Sequence, residues 1–318
     1  MSDILFIKTS SLGDVIHHMP ALSDARRHRP DARFAWVVEE AFAPLVRLHP
    51  AVAEVIPVAS RRWRGALHRS STWQEIRAFR RELRARSDDE VVDAQGLLRS
   101  ALIAKMARGC RHGYDRASVR ERPAAWLYDV RHAVDRNLHA IVRNRALTAM
   151  ALGYAYGGPP DYGLVRRRRA GTRYSVMLHA TARPEKQWPE ERWIKLGRIL
   201  ANLGGEVVLP AGNEAEQARS ERIAAAIPRG RVLERQPLDV MASVLGAASF
   251  VVGVDTGLLH LAAALGVPLV AIFVGSEPGL TGPVGSGPIA IVGTKANPPT
   301  VDEVVRGVER VVGVWGQP

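Results

Sequence analysis

An aspartate follows the first predicted strand, at the point where a helix begins. Residues 8–15 read Lys-Thr-Ser-Ser-Leu-Gly-Asp-Val, and this aspartate is Asp14. At the mouth of a cleft, a carboxylate can act as the general base that takes a proton from an attacking hydroxyl group. An acid in the first turn also stabilises its helix by about 1 kcal/mol, and for an aspartate taken alone this structural role is the commoner one. With one glycine and no Gly-Lys-Ser/Thr ending, the segment matches neither a P-loop nor a dinucleotide fingerprint.

A second polar group follows the predicted strand 250–254. It comprises Asp255, Thr256, Gly257 and, three residues later, His260. The helix predicted next, over 261–266, would offer free amide groups to an anion, and the glycine would let a diphosphate approach the backbone closely. Asp255 is better suited to the hydroxyl groups of a sugar, because its charge repels phosphate. A lone helix histidine is usually a packing residue, but beside these three residues a ligand role for His260 is favoured.

Two further loops carry candidate contacts to a nucleotide donor. Thr181 and Lys186 follow the predicted strand 175–178, where nucleotide phosphates would lie. A lysine there can neutralise a departing diphosphate, a task that otherwise falls to a metal ion. Glu216, at the start of the helix after the next strand, could accept hydrogen bonds from ribose hydroxyl groups. The structural alternatives are a surface lysine before a helix and a first-turn helix acid.

Short apolar runs and amphipathic stretches alternate along the chain. The predicted strands are 4–7, 34–38, 91–92, 175–178, 206–209, 250–254 and 269–273, and the predicted helices include 73–85, 190–202, 215–226 and 302–312. Consecutive apolar positions are typical of parallel strands covered on both faces, and the alternation of strand and helix predicts a doubly wound α/β fold. The helix that contains Asp14 should continue through Ile16, Met19 and Leu22.

The alternating pattern occurs twice. Between the two sets, residues 153–172 contain turn-forming glycines and prolines and the run Arg166–Arg169, which we expect to be a linker with solvated charges. The prediction is two Rossmann-like domains, 1–160 and 161–318, that face each other across a cleft. Ligands bind such sheets beyond the carboxyl ends of the strands, where the loops described above lie.

The charge balance favours an anionic partner or an arginine-rich genome about equally. The 318 residues carry 44 lysines and arginines against 32 acids, a net charge of +12, and arginine supplies most of the excess. Nucleic acid is not the expected partner, because only 6% of the residues are aromatic and no zinc-finger or RNA-binding signature occurs. One cysteine excludes a disulfide framework, and the N-terminal sequence lacks an export signal, so we expect a cytoplasmic protein.

Together these loops resemble glycosyltransferase family 9, the bacterial heptosyltransferases of the lipopolysaccharide inner core, over nearly the whole chain. The segments that carry the resemblance are Lys8–Leu22, Trp36–Glu40, Arg61–Arg64, Asp93–Gly96 with Ser100, Lys186–Trp193, and Val254–Gly257 with His260. The Thr-Ser-Ser start of the first loop and the Arg-Arg-Trp-Arg segment favour the first heptosyltransferase of the family over the second. Ala182, where relatives often carry a hydroxyl group, and Gln236, near the expected adenine site, depart from the family's pattern.

The resemblance implies a GT-B fold, no cofactor, no catalytic metal, and an inverting transfer of L-glycero-D-manno-heptose from ADP-heptose to the Kdo sugar of lipid A. It implies that Asp14 is the catalytic base and that Lys186 assists the departure of ADP. The implied donor contacts are Thr181, Lys186, Glu216, Asp255, Thr256, Gly257 and His260, and the implied acceptor contacts are Ser10, Gly13, Arg61, Arg62, Arg64 and Arg120. The protein would act at the inner face of the cytoplasmic membrane as a peripheral protein.

Residues 61–86 form a basic segment that could bind an anionic acceptor or membrane. Between Arg61 and Arg86 lie nine arginines against two acids, Glu75 and Glu82. Kdo carries carboxylates, lipid A carries phosphates, and each basic residue near an anionic membrane contributes about 1 kcal/mol of attraction. We expect the arginines of 61–64 to hold the acceptor while the helix that follows faces the bilayer. The alternative is a solvated arginine-rich helix.

Three other functions stay open at this point. The nearest is another member of the same family that transfers a different sugar or uses a different acceptor. A nicotinamide-dependent dehydrogenase shares the fold class but needs the glycine fingerprint, which neither domain has. A sugar-binding protein without catalysis would share the cleft, although such a protein is normally exported.

Overall fold

The consecutive apolar runs of the sequence form the central strands of two parallel six-stranded sheets. The structure is a computed structural model that describes residues 2–167, 173–181, 183–202 and 204–313. Two compact units share the chain, Met1–Gly163 and Leu164–Pro318, each with one sheet. The predicted class of two Rossmann-like α/β domains is confirmed, and the division falls three residues after the predicted boundary at 160.

The first unit has the strand order β3-β2-β1-β4-β5-β6. Its strands are β1 (Asp3–Ile7), β2 (Arg33–Glu39), β3 (Val52–Val58), β4 (Glu90–Asp93), β5 (Cys110–Tyr114) and β6 (Val130–His132). Its helices are α1 (Leu12–His28), α2 (Ala43–Val46), α3 (Ser60–Arg64), α4 (Ser70–Ala85), α5 (Leu98–Met106) and α6 (Ala140–Leu152), with 3-10 turns at Glu40–Phe42 and Arg122–Leu127. This is the order of a doubly wound sheet. Successive strands are added on one side of β1 up to β3 and on its other side from β4 onwards, so the strand order reverses between β1 and β4.

The second unit repeats the order as β12-β11-β10-β7-β8-β9. Its strands are β7 (Tyr174–Leu178), β8 (Glu206–Pro210), β9 (Gly230–Leu233), β10 (Phe250–Val254), β11 (Leu269–Ile272) and β12 (Ile289–Val292). Its helices are α7 (Glu190–Asn202), α8 (Glu214–Ala225), α9 (Leu238–Ala247), α10 (Gly257–Ala264) and α11 (Val301–Val312), with a 3-10 turn at Pro184–Lys186. In this sheet the strand order reverses between β7 and β10.

Each sheet is covered on both faces, which explains the apolar runs. In the first unit, Leu5, Val37 and Val91 on neighbouring strands are fully buried. In the second, Trp188 and Trp193 are fully buried and meet edge to face, with ring centroids 5.1 Å apart. Burial of large side chains on this scale stabilises each unit through removal of apolar surface from water.

Three local expectations were wrong. The helix predicted over 261–266 begins at Gly257, because the buried Leu259 already belongs to its inward face. The predicted solvated charge run does not hold for Arg166, whose guanidinium donates to the carbonyl oxygens of Gly246, Ala248 and Gly266. The helix predicted over 73–85 begins three residues earlier, at Ser70.

Within the described residues, no helix combines the length and the apolar character needed to cross a membrane.

Candidate active site

In each unit, some of the candidate residues follow the two neighbouring strands at which the strand order of the sheet reverses. Asp14 lies after β1, which pairs with β4. Thr181 follows β7 and Asp255 follows β10, and these two strands are also neighbours. The crevice beyond the carboxyl ends of such strands is where doubly wound sheets bind ligands. The topology therefore brings Asp14, Thr181 and Asp255 to the ligand-binding end of their own sheets.

Asp14 is the third residue of α1, and its carboxylate caps the helix start. Oδ2 accepts hydrogen bonds from the Ser11 backbone N–H, at 2.9 Å, and from the Ser11 hydroxyl, at 3.0 Å. This arrangement matches the structural alternative of a first-turn acid. Within the described part of the chain, Oδ2 takes both bonds, which leaves Oδ1 available to a substrate hydroxyl group. Capping fixes the orientation of the carboxylate and is compatible with its predicted role as base. Gly13, an expected acceptor contact, precedes it in the same helical turn.

The loop that carries Asp14 is held by the loop after β4. The side-chain oxygen of Gln95 accepts hydrogen bonds from the backbone N–H groups of Thr9 and Ser10, each at 3.1 Å. Gln95 in turn donates its backbone N–H to the buried carboxylate of Asp93. Burial raises the pKa of Asp93, although the hydroxyl groups of Tyr128 and Ser100 also donate to it. The two loops therefore form one rigid polar layer below the candidate base.

Lys8 places a buried cation beneath the same layer. Its ammonium group donates to the carbonyl oxygen of Ala94 at 2.8 Å. Burial lowers the pKa of Lys8, and the nearby carboxylates of Asp14 and Asp93 act in the opposite direction. Arg120, an expected acceptor contact, is exposed and also close enough to lower the pKa of Lys8. Lys8 belongs to the loop that carries Asp14, but nothing in its spacing predicted that it would be buried.

Three arginines meet beside this loop. Arg61, Arg64 and Arg99, with Gly65, line an open cavity of about 520 Å³. In the part of the chain that the structure describes, neither Arg61 nor Arg64 forms an ion pair with a carboxylate. Arg99 donates to the hydroxyl of Ser10 at 2.7 Å, so the cavity adjoins the loop of the candidate base. Unbalanced guanidinium groups around an open cavity fit a carboxylate or a phosphate.

Arg62 does not share this arrangement. Its guanidinium forms ion pairs with Glu40 at 3.2 Å and Glu75 at 2.8 Å. Hydrogen bonds from both acids raise the pKa of Arg62 above its ordinary value. The acceptor contact predicted for Arg62 stays a prediction, but its charge is already balanced within the protein. Arg99 was missed by the sequence reasoning, although its position beside Ser100 after β4 was a usable signal.

In the second unit, the carboxylate of Asp255 gathers three polar side chains. Oδ2 accepts from the Lys186 ammonium at 2.5 Å and from the Ser276 hydroxyl at 2.8 Å, and Oδ1 lies 3.5 Å from Nε2 of His260. Burial alone would raise the pKa of Asp255, but the bonds from His260, Lys186 and Ser276 lower it well below its ordinary value. Asp255 is therefore an ionised carboxylate that positions Lys186. The ammonium group of Lys186 retains two further N–H donors.

Ser276 was not predicted. It lies in the loop after β11, and this loop packs on the 3-10 turn that carries Lys186. A Cβ atom at Gly275 would collide with the backbone carbonyl group of Glu185, so only glycine allows this close approach. The Gly-Ser pair in the loop after a buried strand was the signal that sequence reasoning passed over.

The other donor candidates lie in the loop after β7 and at the starts of α8 and α10. Thr181 donates to the Asp255 carbonyl oxygen at 3.4 Å, and Thr256 precedes Gly257, the first residue of α10. Glu216 accepts from the Gly212 backbone N–H at 2.8 Å and from the Asn213 side chain at 2.9 Å, which is the helix-capping role of a first-turn acid. Its ribose contact stays a prediction. Gln236 lies between β9 and α9, and Ala182 lies outside the described residues.

Comparisons with known proteins decide the family. The family model for glycosyltransferase family 9 (heptosyltransferase) matches residues 76–306. The chain belongs to glycosyltransferase family 9. This family 9 enzyme is 43% identical over 290 residues to lipopolysaccharide heptosyltransferase 1 of Escherichia coli (strain K12), covering 89% of this chain and 91% of that relative. The predicted resemblance and the predicted glycosyltransferase class are confirmed, and the dehydrogenase alternative is excluded.

Solved structures agree with this assignment. The solved structure of E. coli heptosyltransferase WaaC with ADP has a TM-score of 0.91 to this chain at 39% identity, covering 96% of this chain and 99% of that chain. WaaC with ADP-2-deoxy-2-fluoro heptose has a TM-score of 0.87 at 38% identity, with the same coverage. Lipopolysaccharide heptosyltransferase 2 of E. coli (strain K12) matches over only 107 residues, or 32% of this chain. The first heptosyltransferase is therefore the better match, as the sequence predicted.

Proposed function

We propose that this family 9 enzyme transfers L-glycero-D-manno-heptose from ADP-heptose to the Kdo sugar of Kdo-lipid A. The observation that carries the proposal is the group around Asp255, in which a carboxylate positions a lysine at the ligand edge of the second sheet. Similarity to heptosyltransferase 1 over most of the chain, and to a solved relative with an ADP-heptose analogue, supports ADP-heptose as the donor.

The second unit is proposed to hold the donor. Lys186 would donate its two remaining N–H groups to the diphosphate, joined by the free amides at the start of α10. Lysine then supplies the positive charge that a metal ion supplies in other transferases, so no metal is needed at the leaving group. The Asp255 carboxylate holds Lys186 in place and would accept from heptose hydroxyl groups through Oδ1.

The first unit is proposed to supply the base. The acceptor hydroxyl attacks the anomeric carbon of heptose as the bond to ADP breaks, so the configuration at that carbon inverts. Asp14 takes the proton of the hydroxyl as the new bond forms. In the proposed reaction, Asp14 deprotonates the acceptor hydroxyl while Lys186 neutralises the charge on the departing ADP.

The arginine cavity is proposed to bind the acid groups of the acceptor. Arg61, Arg64 and Arg99 can surround one Kdo carboxylate, since a guanidinium group presents paired donors that match a carboxylate. Because Arg99 also bonds to Ser10, an occupied cavity would place the sugar beside the loop of Asp14. This links recognition of the acceptor to the position of its reacting hydroxyl group.

Helix α4 is proposed to rest on the anionic inner leaflet of the cytoplasmic membrane. Its apolar face, with Phe79 and Leu83, is buried, while Arg77, Arg80, Arg81 and Arg84 line an open groove of about 420 Å³. Trp73 and Leu67, 47% and 48% exposed, lie at the start of the helix. Exposed apolar side chains beside a basic helix face are typical of peripheral membrane proteins.

The activity is tested by incubating the protein with ADP-heptose and a Kdo-bearing lipid A precursor. We expect one heptose to be added per acceptor, measured by mass spectrometry of the lipid. A control acceptor that already carries the first heptose should remain unchanged. Extension of that control acceptor alone would instead indicate the activity of the second heptosyltransferase, and turnover of neither acceptor would contradict the proposal.

The membrane contact is tested by sedimentation with vesicles. Replacing Arg80 and Arg84 by glutamine should weaken binding to phosphatidylglycerol vesicles about thirtyfold, at about 1 kcal/mol for each charge. The matched control replaces Arg306 and Arg310, two exposed arginines of α11, by glutamine. Equal weakening by both double variants would show that net charge, and not α4, governs the binding.

A further inference from the structure

A cluster of three side chains of the types that can bind a metal lies at the opposite end of the first sheet from the Asp14 loop. Glu90 is the first residue of β4, and Cys110 is the first residue of β5. The two residues are register partners across the parallel pair, so their side chains lie on the same face. His112, two residues further along β5, shares that face because side chains alternate along a strand.

The ligand atoms of these three residues are already close together. One carboxylate oxygen of Glu90, Sγ of Cys110 and one ring nitrogen of His112 all lie within 4.8 Å of one another. Nε2 of His112 lies 2.6 Å from Oε2 of Glu90. The side chain of Glu90 is 33% exposed and that of His112 only 8%, so solvent reaches the cluster from one side.

His132 on the neighbouring strand β6 completes the arrangement. Its Nε2 lies 2.9 Å from Nδ1 of His112, and the two imidazole rings are stacked with an angle of 10° between their planes. A histidine that binds a metal through one ring nitrogen almost always donates its other N–H to a fixed acceptor, which orients the ring. His132 stands where that acceptor is needed.

We propose that Cys110, His112 and Glu90 bind a zinc ion through Sγ, Nε2 and a carboxylate oxygen, with a water molecule as the fourth ligand. A mixed sulfur, nitrogen and oxygen set suits zinc, whereas magnesium and calcium prefer oxygen ligands alone. Tetrahedral zinc with ordinary bond lengths of about 2.0–2.3 Å separates its ligand atoms by roughly 3.3–3.8 Å. Small side-chain rotations from the present spacing reach that geometry.

The zinc site is separate from the transfer reaction. Glu90 and Asp93 are the two ends of β4, and three strand steps of about 3.3 Å place them about 10 Å apart. Asp93 supports the loop of the candidate base, whereas Glu90 lies at the other end of the strand. A zinc ion there would join β4 to β5 and stabilise the half of the sheet that carries β6, without contact with donor or acceptor.

The experiment uses cobalt(II) as a spectroscopic probe of the full-length protein. Tetrahedral cobalt bound to a thiolate gives an intense near-ultraviolet band and visible bands, and we expect both to develop with one equivalent and to disappear when zinc is added. Cys110→Ser keeps the size of the side chain and should abolish the thiolate band. Replacing His132 by alanine should weaken zinc binding by about 10- to 100-fold, measured by competition with a chelator.

A matched control is His68→Ala, which removes an exposed histidine outside the cluster and should leave zinc binding unchanged. Zinc should also raise the unfolding temperature of the wild type and of the control, but not that of Cys110→Ser. Cobalt spectra without a thiolate band, or equal zinc affinity in wild type and Cys110→Ser, would overturn the proposal. Because these readouts need neither donor nor acceptor, their result is independent of the proposed transferase activity.

Discussion

Helix α3 offers a sharp test of acceptor recognition, because it carries arginines of the same charge in two different surroundings. Arg64 lines the open cavity with Arg61 and Arg99, whereas Arg62, two residues earlier, is held by Glu40 and Glu75. Replacing either Arg62 or Arg64 by alanine removes one positive charge from the same short helix. The two variants therefore change the net charge equally, but only Arg64→Ala removes a donor from the cavity, whereas Arg62→Ala removes ion pairs within the protein.

The expected effect follows from the exposure of the cavity. A hydrogen bond between a guanidinium and a carboxylate contributes about 1.5–3 kcal/mol when sheltered, and solvent lowers this to about 1–2 kcal/mol in an open site. Arg64→Ala should thus lower kcat/KM for the Kdo-lipid acceptor by roughly 5- to 30-fold. Arg62→Ala should change it by less than about twofold, because the bonds that Arg62 makes are to the protein itself.

The assay is steady-state transfer with each substrate varied in turn. The KM for ADP-heptose should stay close to that of the wild type in both variants, since the donor is assigned to the second unit. Equal loss of acceptor efficiency in the two variants would refute the reasoning, because general charge would then explain the effect. A matching rise in the KM for ADP-heptose in Arg64→Ala would refute it as well.

Three further changes test other parts of the site. Lys186→Met should lower kcat by about 10²–10³-fold through loss of the cation at the leaving group, measured with saturating acceptor. Gln95→Leu leaves the N–H groups of Thr9 and Ser10 unpaired, so we expect about 1–3 kcal/mol lower stability in urea unfolding together with a lower kcat. Burial lowers the pKa of His179 to about 4, assisted by Arg219. Because the unfolded chain binds that proton near pH 6.5, this group lowers the unfolding free energy by about 2 kcal/mol between about pH 7 and about pH 5, and His179→Gln should remove that part of the loss.

The central strands could be predicted from sequence, whereas the edge strands could not. β1, β2, β10 and β11 are apolar at nearly every position because helices cover both of their faces. The five strands that escaped prediction were β3, β5, β6, β9 and β12, of which all but β5 lie at a sheet edge. β6, with the sequence Val-Arg-His, is short and polar, so hydrophobic periodicity gives no signal there.

The site residues that could be predicted from sequence are polar side chains that follow a central strand of either sheet. Sequence reasoning found Asp14, Lys186 and Asp255 because each lies in the segment after a central strand at which the strand order reverses. Arg99 and Ser276 also lie shortly after strands, which was a usable signal, but their partners depend on which loops pack together. The different surroundings of Arg62 and Arg64 likewise depend on Glu40 and Glu75, which reach α3 from other elements.

Asp14→Asn, assayed for both donor binding and single-turnover transfer, tests the central claim most directly. Asparagine keeps an oxygen that can accept from the Ser11 N–H group, so the start of α1 should be preserved. We predict that the Kd for ADP-heptose stays within about twofold of the wild type while the rate of heptose transfer falls by about 10³-fold or more. Transfer within about tenfold of the wild-type rate would contradict the assignment of Asp14 as the base.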